Sequence, residues 1–281
     1  MKTGLVLEGG AMRGMFTCGV LDVLMEHNVC FDGIIGVSAG AAFGCNLKSH
    51  QHGRALRYNQ RFAKDKRYCS LRSWLTTGNL FNAEFCYHTV PNELDIFDKD
   101  AFDADKTAYY VVCSDIETGN PVYKQTEKAG DEFLEWIRAS ASMPVCSTVV
   151  ELDGKKMLDG GVTDSIPLRY FQEIGFERCI VVETQPADYR KKPSRFLPIM
   201  RFWMRRYPKF VEAMTHRHLM YNEEKDFVAS EAKKGHAFVI RPTTKLPIGH
   251  VTHSAKKMEK VYQIGREIAL KHIDEILEFM Q

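Results

Sequence analysis

The sequence predicts an α/β protein, a three-layer α/β/α arrangement around a mainly parallel central sheet, with a helical cap or lid. Three observations predict it. Thr3–Leu7 is a short apolar run ending near a glycine pair, and Gly14 to His27 then carries Phe16, Val20, Leu21, Leu24 and Met25 at helical spacing. Phe31–Val37 is a second apolar run, closed by Ser38-Ala39-Gly40 and a small-residue helix through Cys45. Strand, helix, strand, helix within the first fifty residues is the pattern of a parallel βαβ unit. The composition is ordinary for a globular chain, with 44% hydrophobic and 26% charged residues over 281 positions. It excludes collagen-like, low-complexity and wholly disordered chains and supplies a core for one domain spanning 1–281.

Further strands are expected at Ala108–Cys113, Val145–Leu152, Lys155–Leu158, Cys179–Glu183 and Ala237–Arg241. A C-terminal helix over 254–281 is expected from the stripe Met258, Val261, Tyr262, Ile268, Ile273, Ile276 and Leu277. Two stretches lack this alternation. Residues 50–105 are polar and aromatic and read as a helical insertion over the sheet edge. Residues 187–234 read as a basic, aromatic insertion. Between Arg190 and Arg217, nine basic residues face the single acid Glu212, interleaved with Phe196, Phe202, Trp203, Tyr207 and Phe210. Such a run is either a solvated face or, over 190–217, a lid or membrane-facing segment suited to anionic headgroups. The net charge of +2 creates no global field for nucleic acid, and no nucleic-acid partner is expected.

The eight cysteines include no C-x-x-C pair, and Cys18, Cys45, Cys113, Cys146 and Cys179 lie in apolar or small-residue runs. Free thiols in a reducing compartment are the expectation. The apolar run Gly4–Leu7 is too short for a signal peptide, and no stretch approaches the roughly 20 apolar residues that cross a bilayer. The expected location is cytoplasmic, in part peripheral to a membrane. The sequence sets no oligomeric state.

Three motifs carry chemistry. Gly36-Val37-Ser38-Ala39-Gly40 fits G-x-S-x-G, in which a strand turns sharply into a helix and the flanking glycines, Gly36 and Gly40, remove Cβ clashes. Ser38 would stand exposed above the sheet at a helix N-terminus, as a nucleophile must. Glu8-Gly9-Gly10-Ala11-Met12-Arg13-Gly14 ends the first strand, and a glycine-rich turn presents backbone N–H groups to a phosphate or an oxyanion. It matches neither G-x-G-x-x-G nor a Gly-Lys-Ser/Thr loop, so nucleotide binding is the weaker reading. The bland alternative is a glycine turn with Arg13 in a local salt bridge. Asp159, followed by Gly160 and Gly161 as support, ends another short strand and is a candidate base for Ser38. An ordinary aspartate, with a pKa of about 3.9, is a poor base, so burial would have to raise it. An Asx-type turn is its bland alternative.

These motifs, in this order, resemble the patatin-like phospholipases. Asp115-Ile116-Glu117-Thr118-Gly119, the block Arg138-Ala139-Ser140-Ala141-Ser142-Met143-Pro144 and Tyr262-Gln263-Ile264-Gly265 resemble further patterns of that family. The resemblance covers residues 4 to 185 and the last helix. It implies the patatin-like fold and hydrolysis of a carboxylic ester, typically of a glycerolipid, by a Ser38–Asp159 dyad with an acyl-enzyme on Ser38. Backbone N–H groups around Gly9, Gly10 and Ala11, with Met12, Arg13 and Gly14 completing the loop, would form the oxyanion hole. No metal or other cofactor is implied, and the partner would be a lipid or other acyl ester. The family's loop usually has a third glycine where this chain has Ala11, and a positive φ there would cost on the order of 1 kcal/mol.

Two rival readings stand beside the dyad. A Ser-His-Asp α/β-hydrolase, or an acyltransferase with a histidine base, would recruit His236, His250 or His253. A non-catalytic lipid-binding protein of the same fold would use Ala11 and the basic stretch.

Overall fold

The computed structural model describes residues 1–281. Eight strands, β1 (Lys2–Leu7), β2 (Gly33–Val37), β3 (Ala108–Asp115), β4 (Pro121–Thr126), β5 (Val150–Leu152), β6 (Lys155–Asp159), β7 (Phe176–Val182) and β8 (Ala237–Ile240), form one sheet. Its order is β5-β6-β3-β2-β1-β7-β8, with β4 paired to β3. β3, β2, β1, β7 and β8 run parallel, while β4, β5 and β6 form the antiparallel pairs. The mostly parallel α/β fold expected from the sequence is the one observed.

The apolar runs became central strands because both faces of a parallel sheet are covered. Side chains alternate between the two layers with period two. Leu5, Leu7, Ile34, Tyr109, Val111, Ile180 and Val182 point into the larger core, under α1 (Met15–Glu26), α2 (Ala39–Lys48), α6 (Asp131–Ser140) and α10 (Ala255–Lys271). Val6, Ile35, Val37, Val112 and Val181 point the other way, toward α7 (Leu168–Glu173) and α9 (Pro208–Lys233). Ile34, Ile35 and Val37 are fully buried, and each such side chain stabilises the fold by roughly 1.5–3 kcal/mol.

The Tyr262–Gly265 pattern has a packing cause. A Cβ on Gly265 would collide with the Phe16 carbonyl, and one on Gly19 with the Tyr262 carbonyl, so the two glycines let the backbones of α1 and α10 touch. The Tyr262 hydroxyl then donates to Asp22 at 2.6 Å. Likewise Asp115 closes the β3–β4 turn, its carboxylate accepting the Glu117 N–H at 2.8 Å.

Several expectations differ from the structure. The segment Val145–Leu152 forms a strand only over Val150–Leu152. Before it, the Val145 carbonyl accepts from the Trp74 indole and the Thr148 N–H goes to Asn79, which takes the backbone out of the ladder. The 254–281 stretch is two helices, α10 and α11 (Ile273–Met280), broken at His272. β4, α6 and α7 are additional elements. Residues 50–105 form α3 (Arg54–Phe62), α4 (Leu71–Thr77), a π-helical segment (Phe85–Leu94) containing Pro91, and α5 (Lys99–Ala104). Within 187–234, α8 (Leu197–Trp203) has no buried residue, whereas α9 buries Phe210, Met214, Tyr221, Lys225, Val228 and Glu231. Half of that insertion is therefore a covering layer of the sheet. No helix is long and apolar enough to cross a membrane.

Candidate active site

β2 ends at Val37 and α2 begins at Ala39, so Ser38 alone makes the turn, at φ 55° and ψ −121°. That left-handed backbone is costly for a residue with a Cβ and persists only where the surroundings over-determine it. A Cβ on Gly36 would lie 2.6 Å from the Ala41 backbone, and one on Gly40 would meet the Leu7 carbonyl. Both positions therefore require glycine. Ser140, at the end of α6, completes the turn: its hydroxyl accepts the Ser38 N–H at 2.8 Å and donates to the Val112 carbonyl at 2.6 Å.

Asp159 arrives by a route that the strand pattern does not reveal. β4 occupies one edge of β3 over Tyr109–Ser114, so β6, which also pairs Cys113 and Ser114, must use the edge taken by β2 as far as Val112. β2 and β6 thus meet tip to tip along β3. Val37 lies opposite Val112 and Asp159 opposite Cys113, the next position. The Ser38 hydroxyl donates to Asp159 Oδ2 at 2.8 Å, and the Gly161 N–H donates to Oδ1 at 2.8 Å. The Asp159 N–H donates to the Ser142 carbonyl at 2.8 Å, so the same α6 end anchors both residues. Both side chains are buried. Burial pushes the Asp159 carboxyl above the ordinary range, opposed by the Arg217 charge and then by the Ser38 and Gly161 hydrogen bonds.

The glycine loop lies against this pair, since a Cβ on Gly9 would be 3.3 Å from Ser38 Cβ. Its acidic end is tied down: the Glu8 carboxylate accepts the Thr184 N–H at 2.5 Å and the Tyr221 hydroxyl at 2.7 Å. The N–H groups of Gly9, Gly10 and Ala11 have no acceptor within the protein, whereas Met12 donates to the His250 carbonyl and Arg13 to the Gly10 carbonyl. Of the loop residues singled out in the sequence, three therefore offer free donors. Gly14 instead packs against Phe43 and Ala39. Ala11 has φ 48°, the left-handed region where glycine is at ease. Arg13 makes no salt bridge and lies 3.0 Å from the His250 ring nitrogen.

Two cavities flank the loop. One, of about 90 Å³ and narrow, is almost wholly apolar and places Ser38 and Ala11 among Phe43, Tyr58, Tyr68, Phe81, Tyr87 and Met143. Insertion 50–105 supplies Tyr58, Asn59, Tyr68, Phe81, Cys86 and Tyr87 to this wall. The other, of about 650 Å³, is basic and borders Arg13 of the glycine loop and Val162 just past Asp159.

The three histidines have partners elsewhere. His236 pairs with Glu231 at 2.9 Å, His253 with the Ala63 carbonyl at 2.7 Å, and His250 with Arg13. None hydrogen-bonds Ser38 or Asp159. Sequence reasoning missed Ser140 as the brace of the turn, and its one signal was the block around Arg138–Pro144. It also missed Arg217, which was counted only as one charge in a basic run.

A family model described as patatin-like phospholipase matches residues 5–171, and a second, described as a domain of unknown function, matches residues 207–281. The chain is 28% identical over 276 residues to the uncharacterized protein YjjU of Escherichia coli (strain K12), covering 94% of this chain and 75% of that protein. It is 26% identical over 210 residues to the lysophospholipase NTE1 of Saccharomyces cerevisiae, covering 72% of this chain but only 12% of that much longer protein. The crystal structure of VipD from Legionella pneumophila is similar with a TM-score of 0.46 and 11% identity, over 98% of this chain and 67% of that one.

Proposed function

We propose, from the premise that the chain belongs to the patatin-like phospholipase family, that it hydrolyses a carboxylic ester of a lipid with Ser38 as nucleophile and Asp159 as general base. The observation that carries this reading is the 2.8 Å hydrogen bond from the Ser38 hydroxyl to the Asp159 carboxylate. Ser38 Oγ attacks the ester carbonyl while its proton passes to Asp159. The oxyanion that forms takes the N–H groups of Gly9, Gly10 and Ala11, a reading supported by their having no acceptor within the protein. Collapse expels the alcohol, which takes the proton from Asp159 and leaves the acyl group on Ser38. Water, deprotonated by the same carboxylate, then releases the acid. The raised pKa of Asp159 suits a group that must accept and return a proton. The narrow apolar pocket receives the acyl group.

A membrane-facing role for α8 belongs to the same reading. Phe196, Ile199, Phe202 and Trp203 are 69%, 52%, 66% and 60% exposed, among Arg195, Arg201, Arg205 and Arg206. Exposed aromatics among cations suit an anionic lipid surface.

The test is labelling by a fluorophosphonate together with hydrolysis of a lysophospholipid. Ser38→Ala loses both, and Asp159→Asn loses hydrolysis by at least a hundredfold, while His236→Ala, His250→Ala and His253→Ala retain activity. Labelling that persists in Ser38→Ala rejects the nucleophile, and loss in a histidine variant with Asp159→Asn still active rejects the dyad.

A further inference from the structure

The basic cavity beside the dyad has an unusual charge balance. Arg13, Lys191, Lys192, Arg217 and Lys245 line it, and no aspartate or glutamate does. None of the five takes part in any of the molecule's salt bridges. By contrast, the buried Lys225 and the half-buried Arg241 both pair with Glu183. The carboxyl groups behind the wall are committed to other partners. Glu8 accepts from Tyr221 and Thr184, and Glu224 accepts the Ser165 N–H while burial and neighbouring Asp164 push its carboxyl well above the ordinary range. Enclosure and the charges of Arg13, Lys191 and Arg217 hold His250 down at about 4, so it adds no charge of its own at neutral pH.

We propose that this cavity seats a phosphate monoester, the dianionic headgroup of the ester cleaved at Ser38, and so selects lipids whose headgroup ends in phosphate. The proposal rests on the hydrolase reading above. Its position supports it: Val162, in the turn that follows Asp159, and Arg13 of the glycine loop both line it, and the apolar pocket lies beside Ser38. A dianion there supplies the counter-charge the cavity lacks. A choline or ethanolamine headgroup brings a further cation among groups with no carboxylate to receive it. Lys191, lowered to about 7 by desolvation and then by Arg217, gains its full charge when the anion enters.

The experiment compares kcat/KM for a 1-acyl lysophosphatidic acid and the lysophosphatidylcholine of the same chain, with p-nitrophenyl butyrate as an ester lacking any headgroup. The expected result is at least a tenfold preference for the phosphate monoester. In Lys191→Gln and Lys245→Gln, singly and together, that ratio falls at least fivefold, a change that loss of folding or of the dyad would not produce. Glycerol 3-phosphate and inorganic phosphate compete with the lipid. Ser38-dependent cleavage of p-nitrophenyl butyrate with no preference between the two lipids, or a ratio unmoved in the lysine variants, overturns the headgroup assignment and leaves the hydrolase reading standing. Inhibition by free phosphate without lipid preference also overturns it, in favour of an anion taken from solution. Butyrate cleavage that is absent, or that survives Ser38→Ala, overturns the hydrolase reading and this proposal with it.

Discussion

Arg217 donates through Nε to the carbonyl of Gly161 at 2.5 Å. Gly161 is the residue whose N–H holds Asp159 Oδ1, so one arginine from α9 both fixes the turn after the carboxylate and sets a positive charge near it. The burial that raises the Asp159 carboxyl and the charge that restrains it thus come from different parts of the chain.

That opposition predicts a pH profile. As the proposed base, Asp159 must be ionised to accept the Ser38 proton, so kcat/KM for p-nitrophenyl butyrate, an ester without a headgroup, rises with pH through a value above the ordinary carboxylate pKa of about 3.9. Arg217→Gln removes the restraining charge and moves the acid limb to higher pH. A limb that stays in place, or moves down, contradicts the assignment of Asp159 as base.

Ser140 is fully buried and serves two backbone groups, the Ser38 N–H and the Val112 carbonyl. Ser140→Ala leaves both without partners, which costs about 1–3 kcal/mol. Urea denaturation measures this, and turnover should fall along with it because the strained turn at Ser38 loses its brace. A change below about 0.5 kcal/mol would show that the turn holds without it.

Ala11 occupies a left-handed conformation that costs a residue with a Cβ about 1–2 kcal/mol. Glycine removes this strain but adds about 0.4–1 kcal/mol of unfolded-chain entropy. Ala11→Gly should therefore stabilise the protein by about 0.5–1 kcal/mol in denaturant titration, with activity retained. A less stable variant would mean that the alanine methyl makes contacts worth more than the strain.

The exposed face of α8 predicts membrane behaviour. Trp203 also lines an apolar cavity of about 500 Å³ with Trp74 and Leu75, so both insertions contribute to one apolar rim. Phe202→Asp with Trp203→Asp should lower co-sedimentation with anionic vesicles at least fivefold, and salt should weaken binding of the unaltered protein. Binding indifferent to the substitutions, to anionic lipid and to salt rejects the role.

Much of the architecture was legible because its causes are local. The buried strands β1, β2 and β7 show as apolar runs, and α1 and α10 as helical stripes. The short edge strand β4 did not, since Pro121–Thr126 is only partly buried and carries little apolar signal. α9 hid inside a basic stretch because its outward charges outnumber its few inward side chains, Phe210, Met214, Tyr221 and Val228.

The amino-acid order alone determined the βαβ start, the sharp turn at Ser38 and the donor-rich loop at Gly9–Ala11, since backbone sterics and residue periodicity act over a few neighbours. Only the tertiary structure decided that β6 would meet β2 end to end, that Ser140 and Arg217 would close around Asp159, that the histidines would pair elsewhere, and that five basic side chains without a salt-bridge partner would share one cavity. Those outcomes depend on register across the sheet and on side chains brought together from distant segments, and neighbouring residues in the chain carry no trace of either.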